Sequence, residues 1–361
     1  MYSPRFTITN EILTNIGTIE AAREVIDHAP LLPYYEKQFQ EEALVRTVHH
    51  GTHIEGNELD LAQAEKVLLG QNVVARVRDI QEVINYRRVM EYLNKSQISH
   101  STSSGQANLK SQIDEDMIKE IHRMTVERIL DASQCGVYRS TQVVVRNSQT
   151  GNVSFRPPTA VEVVYQMADF VHWLAGEGAA EVHPVLKAGI VHYEIVRIHP
   201  FLDGNGRVAR SLSTLVLFKE GYDIRRFFSI EEYFDNNASD YYKALQSVEE
   251  EDGDLTKWLS YFTHGLAIEL TKVKEKVQRL SVDIKLKDKL GQQVILTERQ
   301  IKIIEYMQKT GYLQNKAFET LFPMVSEDTI LRELQELVKR GIIRKQGVTK
   351  AAKYVLNTYA G

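Results

Sequence analysis

One cysteine, Cys135, stands among 361 residues, so the chain cannot close a disulfide on itself. That usage suits a reducing compartment. Long apolar runs are missing too, and no stretch approaches the ~20 residues that a membrane-crossing helix requires. The opening residues, from Met1 to Thr7, lack the apolar centre of a secretory signal. These absences predict a cytoplasmic protein without membrane contact. On that reading, the glycosylation-pattern matches at Asn94 and Asn152 are chance ones. Neither charge sign dominates: 44 Lys and Arg against 48 Asp and Glu give a formal charge of −4. With 43% hydrophobic and 25% charged residues, the composition is that of a soluble globular chain, long enough for two or three domains.

The densest chemistry lies in the run His199-Pro200-Phe201-Leu202-Asp203-Gly204-Asn205-Gly206-Arg207-Val208-Ala209-Arg210. Its glycines let backbone amides approach phosphate oxygens, because no Cβ intervenes. From Arg207 to Phe218 the spacing is helical, so the loop feeds a helix N-terminus. Unsatisfied N–H groups and a positive partial charge make that end an anion site. Arg207 and Arg210 project from one side of its first turn. Cations there oppose the helix dipole, so the pair points to a bound polyanion such as a nucleoside triphosphate. A plain tight turn between two helices would explain the glycines, but not the arginines or Asp203.

At every fixed position the run matches HPFx[D/E]GN[G/K]RxxR, and the chain thereby resembles the Fic family. The resemblance implies a mainly α fold with a helical core. It implies transfer of AMP from ATP to a Ser, Thr or Tyr hydroxyl of a target protein, or of the enzyme itself. His199 would be the general base, since an imidazole of ordinary pKa near ~6.5 suits that task. Asp203 would hold Mg²⁺ together with phosphate oxygens. Gly204, Asn205 and Gly206 would cradle the α- and β-phosphates, with Val208 and Ala209 completing the binding stretch. Arg207 would neutralise the pyrophosphate leaving group and Arg210 would reach the γ-phosphate. Phe201 would anchor the loop in the core.

Upstream stands His50-Gly-Thr-His-Ile-Glu-Gly-Asn57. Fic proteins with an inhibitory N-terminal helix carry [S/T]xxxE[G/N], whose glutamate pairs with the second arginine of the signature. Glu55-Gly56 fits the end of that pattern, and its partner would be Arg210. The departure is at the Ser/Thr position, where Gly51 stands with Thr52 one step late. A surface helix that simply ends at Gly56 is the alternative. His49, His50 and His53 invite a metal-site reading, but no acidic or cysteine partner accompanies them at ligand spacing.

The stretches 138–145 and 152–158 flank a turn-rich segment, 147–151, and read as a β-hairpin. In the family this is the flap that pairs with a target polypeptide by strand addition. Tyr241 and Tyr242 resemble part of the adenine pocket wall, although aromatics at helical spacing often serve the core.

Elsewhere apolar residues recur at helical spacing, interrupted by the polar, Gly/Ser-rich segment 96–111. The expected division is an N-terminal helical region (1–112) with the inhibitory helix, a catalytic core (113–280) and a C-terminal domain (291–361). In the last, helices at 296–307, 311–321 and 326–340 and two short strands resemble a winged helix-turn-helix. Ser326, Thr329, Arg332, Lys345, Lys350 and Lys353 are its candidate DNA contacts. Glu327, Asp328, Glu333 and Glu336 on the same helix would repel phosphates, so a protein or homo-oligomer contact is the competing expectation. Two further functions stay open. One is a nucleotide-sensing, DNA-binding regulator; the other is a hydrolase that removes AMP at the same site.

Overall fold

The computed structural model describes residues 2–29, 31, 33–98, 113–146, 153–288, 296–323, 325–347 and 352–357. Contacts divide the chain into two units, Met1–Val282 and Asp283–Gly361. The first is mainly helical. It contains α1 (Asn10–Asp27), α2 (Pro33–His53), α3 (Leu61–Leu68), α4 (Val77–Ile98) and α5 (Glu115–Val126). After the strands β1 (Val145–Arg146) and β2 (Val153–Phe155) come α6 (Ala160–Ala175), α7 (Glu177–Ala180), α8 (Pro184–Ile198) and α9 (Asn205–Lys219). The unit closes with α10 (Ile230–Asn236), α11 (Ala238–Glu250) and α12 (Thr256–Asp288), the last running on beyond the division.

Local chemistry sets several helix starts. Thr9 accepts from the amide of Ile12, Asp114 from that of Met117, and Asp60 and Gln63 form a reciprocal capping box. Pro184 occupies the first turn of α8, where its missing N–H costs nothing. α8 and α9 form the centre: nearly every residue from Val185 to Ile195 and from Arg207 to Phe218 is buried, the pattern of helices covered all round. Trp258 of α12 ties in by donating from Nε1 to the Gly189 carbonyl at 2.8 Å. One hydrophobic core takes in Ile12 and Ile19 of α1, Val48 of α2, Val83 of α4, and α8, α9 and α12. The N-terminal helices and the segment around the signature are therefore one folding body.

The hairpin is shorter than the 138–158 span suggested. β1 and β2 pair antiparallel, Val145 with Phe155 and Arg146 with Val153, with a register shift between the two pairs. Residues 139–141 are drawn away from it, since the Arg139 amide donates to the Pro200 carbonyl at 2.8 Å. The expected turn at 147–151 lies outside the described residues, as does most of the 96–111 segment.

The second unit holds α13 (Glu298–Thr310), α14 (Phe318–Leu321), α15 (Glu327–Lys339), and the strands β3 (Ile343–Gln346) and β4 (Lys353–Leu356). β3 and β4 pair antiparallel in continuous register from Ile343–Leu356 to Gln346–Lys353. Leu313 adds a bridge to Tyr354, so 311–314 is extended where a helix was expected. Gly311 explains the change: it is left-handed, and its amide caps α13 on Met307 at 2.7 Å. A separate core of Ile303, Met307, Leu313, Ile330, Leu334, Leu337, Ile343 and Tyr354 holds the unit together.

Candidate active site

The signature forms the turn between α8 and α9. α8 stops at His199, whose backbone is left-handed at φ 50°, ψ 58°, a costly conformation for a residue with a Cβ. Arg139 holds it there. Its Nε donates to the His199 carbonyl at 2.8 Å, and Nη2 reaches the carbonyls of Pro158 (2.6 Å) and Ile198 (3.4 Å). One buried guanidinium thus fixes the turn and the segment leaving the hairpin together.

The imidazole of His199 is half-buried. Its Nδ1 lies 3.2 Å from the Val196 carbonyl, which can only accept, so Nδ1 carries the proton and Nε2 keeps its lone pair. Burial lowers the pKa below the ordinary histidine value and outweighs the opposing pull of that carbonyl and of Glu55. The ring is therefore a neutral base at neutral pH.

Gly204 takes a left-handed turn (φ 79°) as N-cap of α9. The Asn205 side chain folds back onto Phe201, accepting from its amide at 2.9 Å and donating to its carbonyl at 2.8 Å. Its side-chain amide thus closes the loop, and only its backbone N–H at the helix start is left for an anion to meet. Phe201 is fully buried and stacks on His122 of α5 at 3.7 Å between ring centres. His122 accepts from the Gly136 amide at Nδ1 (2.9 Å), so its Nε2 donates to the Asp203 carbonyl (3.1 Å). Burial pushes its pKa down to about 4.

Asp203 uses its two oxygens differently. Oδ1 accepts from the Gly204 amide at 2.5 Å and from Arg207 Nη2 at 3.3 Å; Oδ2 accepts from Arg78 Nη2 of α4 at 2.6 Å. Burial would raise this carboxyl, but the charges of Arg207 and Arg78 overcome it and hold it below the usual carboxylate range. Arg207 is buried with Nη1 3.4 Å from Glu82 Oε1. Arg210, also buried, donates from Nη2 to the Gly51 carbonyl at 2.7 Å and to Glu55 Oε1 at 2.8 Å.

Glu55 sits just past α2 and lies across the first turn of α9. A Cβ built on Gly206 would come 2.1 Å from Glu55 Oε1, so only glycine admits the carboxylate there. The Gly51 departure has a steric cause as well. A Cβ at that position would meet the buried Tyr86 ring at 2.4 Å, and the freed space brings the Gly51 carbonyl onto Arg210. Thr52 does not supply the missing hydroxyl, because its Oγ1 bonds the carbonyls of Val48 and His49, both at 3.0 Å. The three histidines are spoken for. His50 and His53 both bond Asp235 through Nδ1, at 2.7 and 2.9 Å, and His49 Nε2 bonds the Leu59 carbonyl at 3.1 Å. No cluster of three metal-ligating side chains occurs among the described residues.

Tyr241 is buried, its hydroxyl 2.9 Å from His192 Nε2 and its ring against Phe234 and Trp258. Tyr242 is partly exposed and donates to the Ile54 carbonyl at 3.4 Å. Of the pair, only Tyr242 offers an open ring face near Glu55. Sequence reasoning did not single out Arg78, Glu82, His122 or Arg139 as site residues.

Residues 112–217 match the model of the Fic/DOC family. Curated relatives include "Protein adenylyltransferase Fic" of Drosophila grimshawi, 33% identical over 188 residues, 52% of this chain and 35% of the relative. "Protein adenylyltransferase fic-1" of Caenorhabditis elegans is 32% identical over 217 residues, 60% of this chain and 39% of the relative. The chain thus spans little more than a third of the length of these relatives. Among solved structures, a Fic family protein from Desulfovibrio desulfuricans G20 superposes with a TM-score of 0.67 at 24% identity, covering 100% of this chain and 99% of that one. Residues 112–217 are thus a segment similar to the Fic/DOC family, set in a fold shared with that structure.

Proposed function

We propose that this protein is an adenylyltransferase that moves AMP from ATP to a hydroxyl of a protein, and that Glu55 restrains it. The observation that carries the reading is Glu55 on Arg210 at the start of α9: an anionic group already occupies the anion site. The names of the curated relatives support the same chemistry.

In the reaction, His199 Nε2 accepts the proton of the incoming hydroxyl. The oxygen attacks the α-phosphorus, the bond from that phosphorus to the α,β-bridging oxygen breaks, and pyrophosphate leaves. The backbone N–H groups of Asn205 and Gly206 and the Arg207 guanidinium meet the charge that develops, from fixed positions that need no reorganisation. Asp203 suits a single-carboxylate cation site, since its bonds within the loop go to Oδ1, leaving Oδ2 to Arg78 alone, and the side chain keeps 31% exposure. Mg²⁺ bound there would neutralise phosphate charge. ATP requires Arg210 for its γ-phosphate, so the carboxylate of Glu55 must leave first.

The 138–158 segment is read as the docking edge for the target chain, and self-modification is included in the proposal. The second unit, helices followed by a hairpin, is read as a winged helix. On it Ser326, Arg332, Lys345 and Lys353 are exposed and Thr329 half-buried, with Lys350 outside the described residues. Glu327 and Asp328 are exposed beside them, which favours a protein partner or a second copy over DNA.

Full-length protein, Glu55→Gly and Glu55→Gly/His199→Ala are incubated with α-labelled ATP and Mg²⁺. Label should appear in Glu55→Gly and fall by roughly 10²–10⁴ without the base. Label that survives His199→Ala removes the histidine from its role. Bound nucleotide with no label in any variant moves the weight to the regulator or to the reverse, hydrolytic reaction.

A further inference from the structure

The charged side chains Asp203, Arg207 and Arg210 each meet an opposite charge from the first 98 residues. Glu55 meets Arg210, Glu82 meets Arg207, and Arg78 meets Asp203. Only the first follows from the competition between Glu55 and a γ-phosphate. The third has a different chemistry, because it places a cation on the carboxylate that the proposed function assigns to a cation.

The geometry is specific. Arg78 lies in the first turn of α4, outside the segment matched by the family model. Its guanidinium works as a fork, Nε donating to Glu82 Oε1 at 3.0 Å and Nη2 to Asp203 Oδ2 at 2.6 Å. A planar guanidinium spans two carboxylates in this way; a lysine ammonium does not. Oδ1 of Asp203 is already committed to the Gly204 amide and Arg207. Oδ2 is therefore the oxygen left for a metal, and Arg78 covers it. Glu82 keeps the fork in place and is itself anchored, accepting from Asn57 Nδ2 at 2.9 Å two residues beyond Glu55. Arg78 is 57% exposed, so its head can swing into water without leaving a buried charge unpaired.

We infer that Arg78 is a resident counter-cation at Asp203, which a divalent cation must displace before metal and nucleotide can seat together. It thereby sets the metal concentration the site requires. Removing Glu55 alone would leave this second occupant in place. The inference rests on reading Asp203 as the metal carboxylate.

The test is Mn²⁺ titration, followed by electron paramagnetic resonance, of full-length protein carrying Glu55→Gly with a non-hydrolysable ATP analogue. Arg78→Gln should lower the half-saturating Mn²⁺ concentration roughly fivefold, the scale of one half-exposed ion pair. Arg78→Lys should lower it too, since the charge stays but the fork is lost. Asp203→Ala should abolish the bound signal. Unchanged half-saturation in Arg78→Gln, with Asp203→Ala still abolishing binding, overturns the role of Arg78 and leaves the metal reading standing. Tightening in Arg78→Gln but not in Arg78→Lys also overturns it, by showing a field effect and no contact competition. Binding that survives Asp203→Ala overturns the metal reading itself.

Discussion

The two units of this chain handle charge in opposite ways. Around the α8–α9 turn, Arg207 and Arg210 are buried, and each is matched by a carboxylate from a distant helix or its end. Among the described residues of the second unit the ion pairs are partly exposed: Arg299 with Glu333, and Arg340 with Glu336 one helical turn away. Burying a charge is expensive unless it is paired or bound by a ligand, whereas a surface pair is worth little either way. Buried arginines beside a helix N-terminus therefore signal a polyanion. Exposed lysines and arginines on a helix and hairpin do not.

The comparison is broken most sharply by removing a buried partner. Glu55→Gly strips Arg210 of its side-chain counter-charge and leaves it the Gly51 carbonyl. Without nucleotide, the first unit should lose about 3 kcal/mol of stability, the scale of an orphaned buried charge. ATP should restore it, because its phosphates take the vacated place and ligand binding stabilises by mass action. Both tryptophans, Trp173 and Trp258, lie in Met1–Val282, so tryptophan fluorescence in urea follows that unit alone. A variant as stable as the parent without ATP would show that Glu55 carries no charge-pairing load.

A smaller effect tests the loop anchor. His122 is fully buried with its pKa pushed down to about 4, below its unfolded value near ~6.5. The unfolded chain then binds the proton more readily. This contribution is present above pH ~6.5 and is lost as pH falls toward 4, on the order of 2 kcal/mol. Replacing the ring by His122→Asn should flatten urea stability between pH 6.5 and 4.5 by about one proton's worth of slope. An unchanged slope would mean the ring is already charged. His199 obeys the same sign: its lowered pKa keeps the ring neutral, and with His199 as the proposed base the rate should fall only below the ordinary histidine range.

The signature was legible because its chemistry is contiguous, and a dozen neighbouring residues state base, carboxylate, turn and arginines together. Glu55 was legible at a distance only through the family pattern. What organises the site was not. Arg78 meets Asp203 across 125 residues and Arg139 meets His199 across 60, and an isolated arginine on a helix or beside a hairpin looks like any solvated one. Gly51 looked like a defect in the inhibitory pattern until Tyr86 filled the space of its missing side chain. The second unit shows the reverse. Its element order followed from periodicity and glycines, apart from the extended 311–314, yet its partner does not follow from charges lying in water.

That last asymmetry has its own test, with the smallest expected effect. Arg332 and Lys345 are exposed, and neither appears in an ion pair among the described residues. Arg332→Ala/Lys345→Ala should therefore leave stability within about 0.5 kcal/mol of the parent. If the unit contacts protein, binding of the full-length chain to random-sequence duplex DNA should be weak and unchanged by the pair. If it contacts DNA, the pair should flatten the salt dependence of binding by about two phosphate contacts. A steep salt slope in the parent that falls in the double variant would overturn the protein-contact reading. It would also show that exposed charge carries function here, whereas the first unit pairs its charges in the interior.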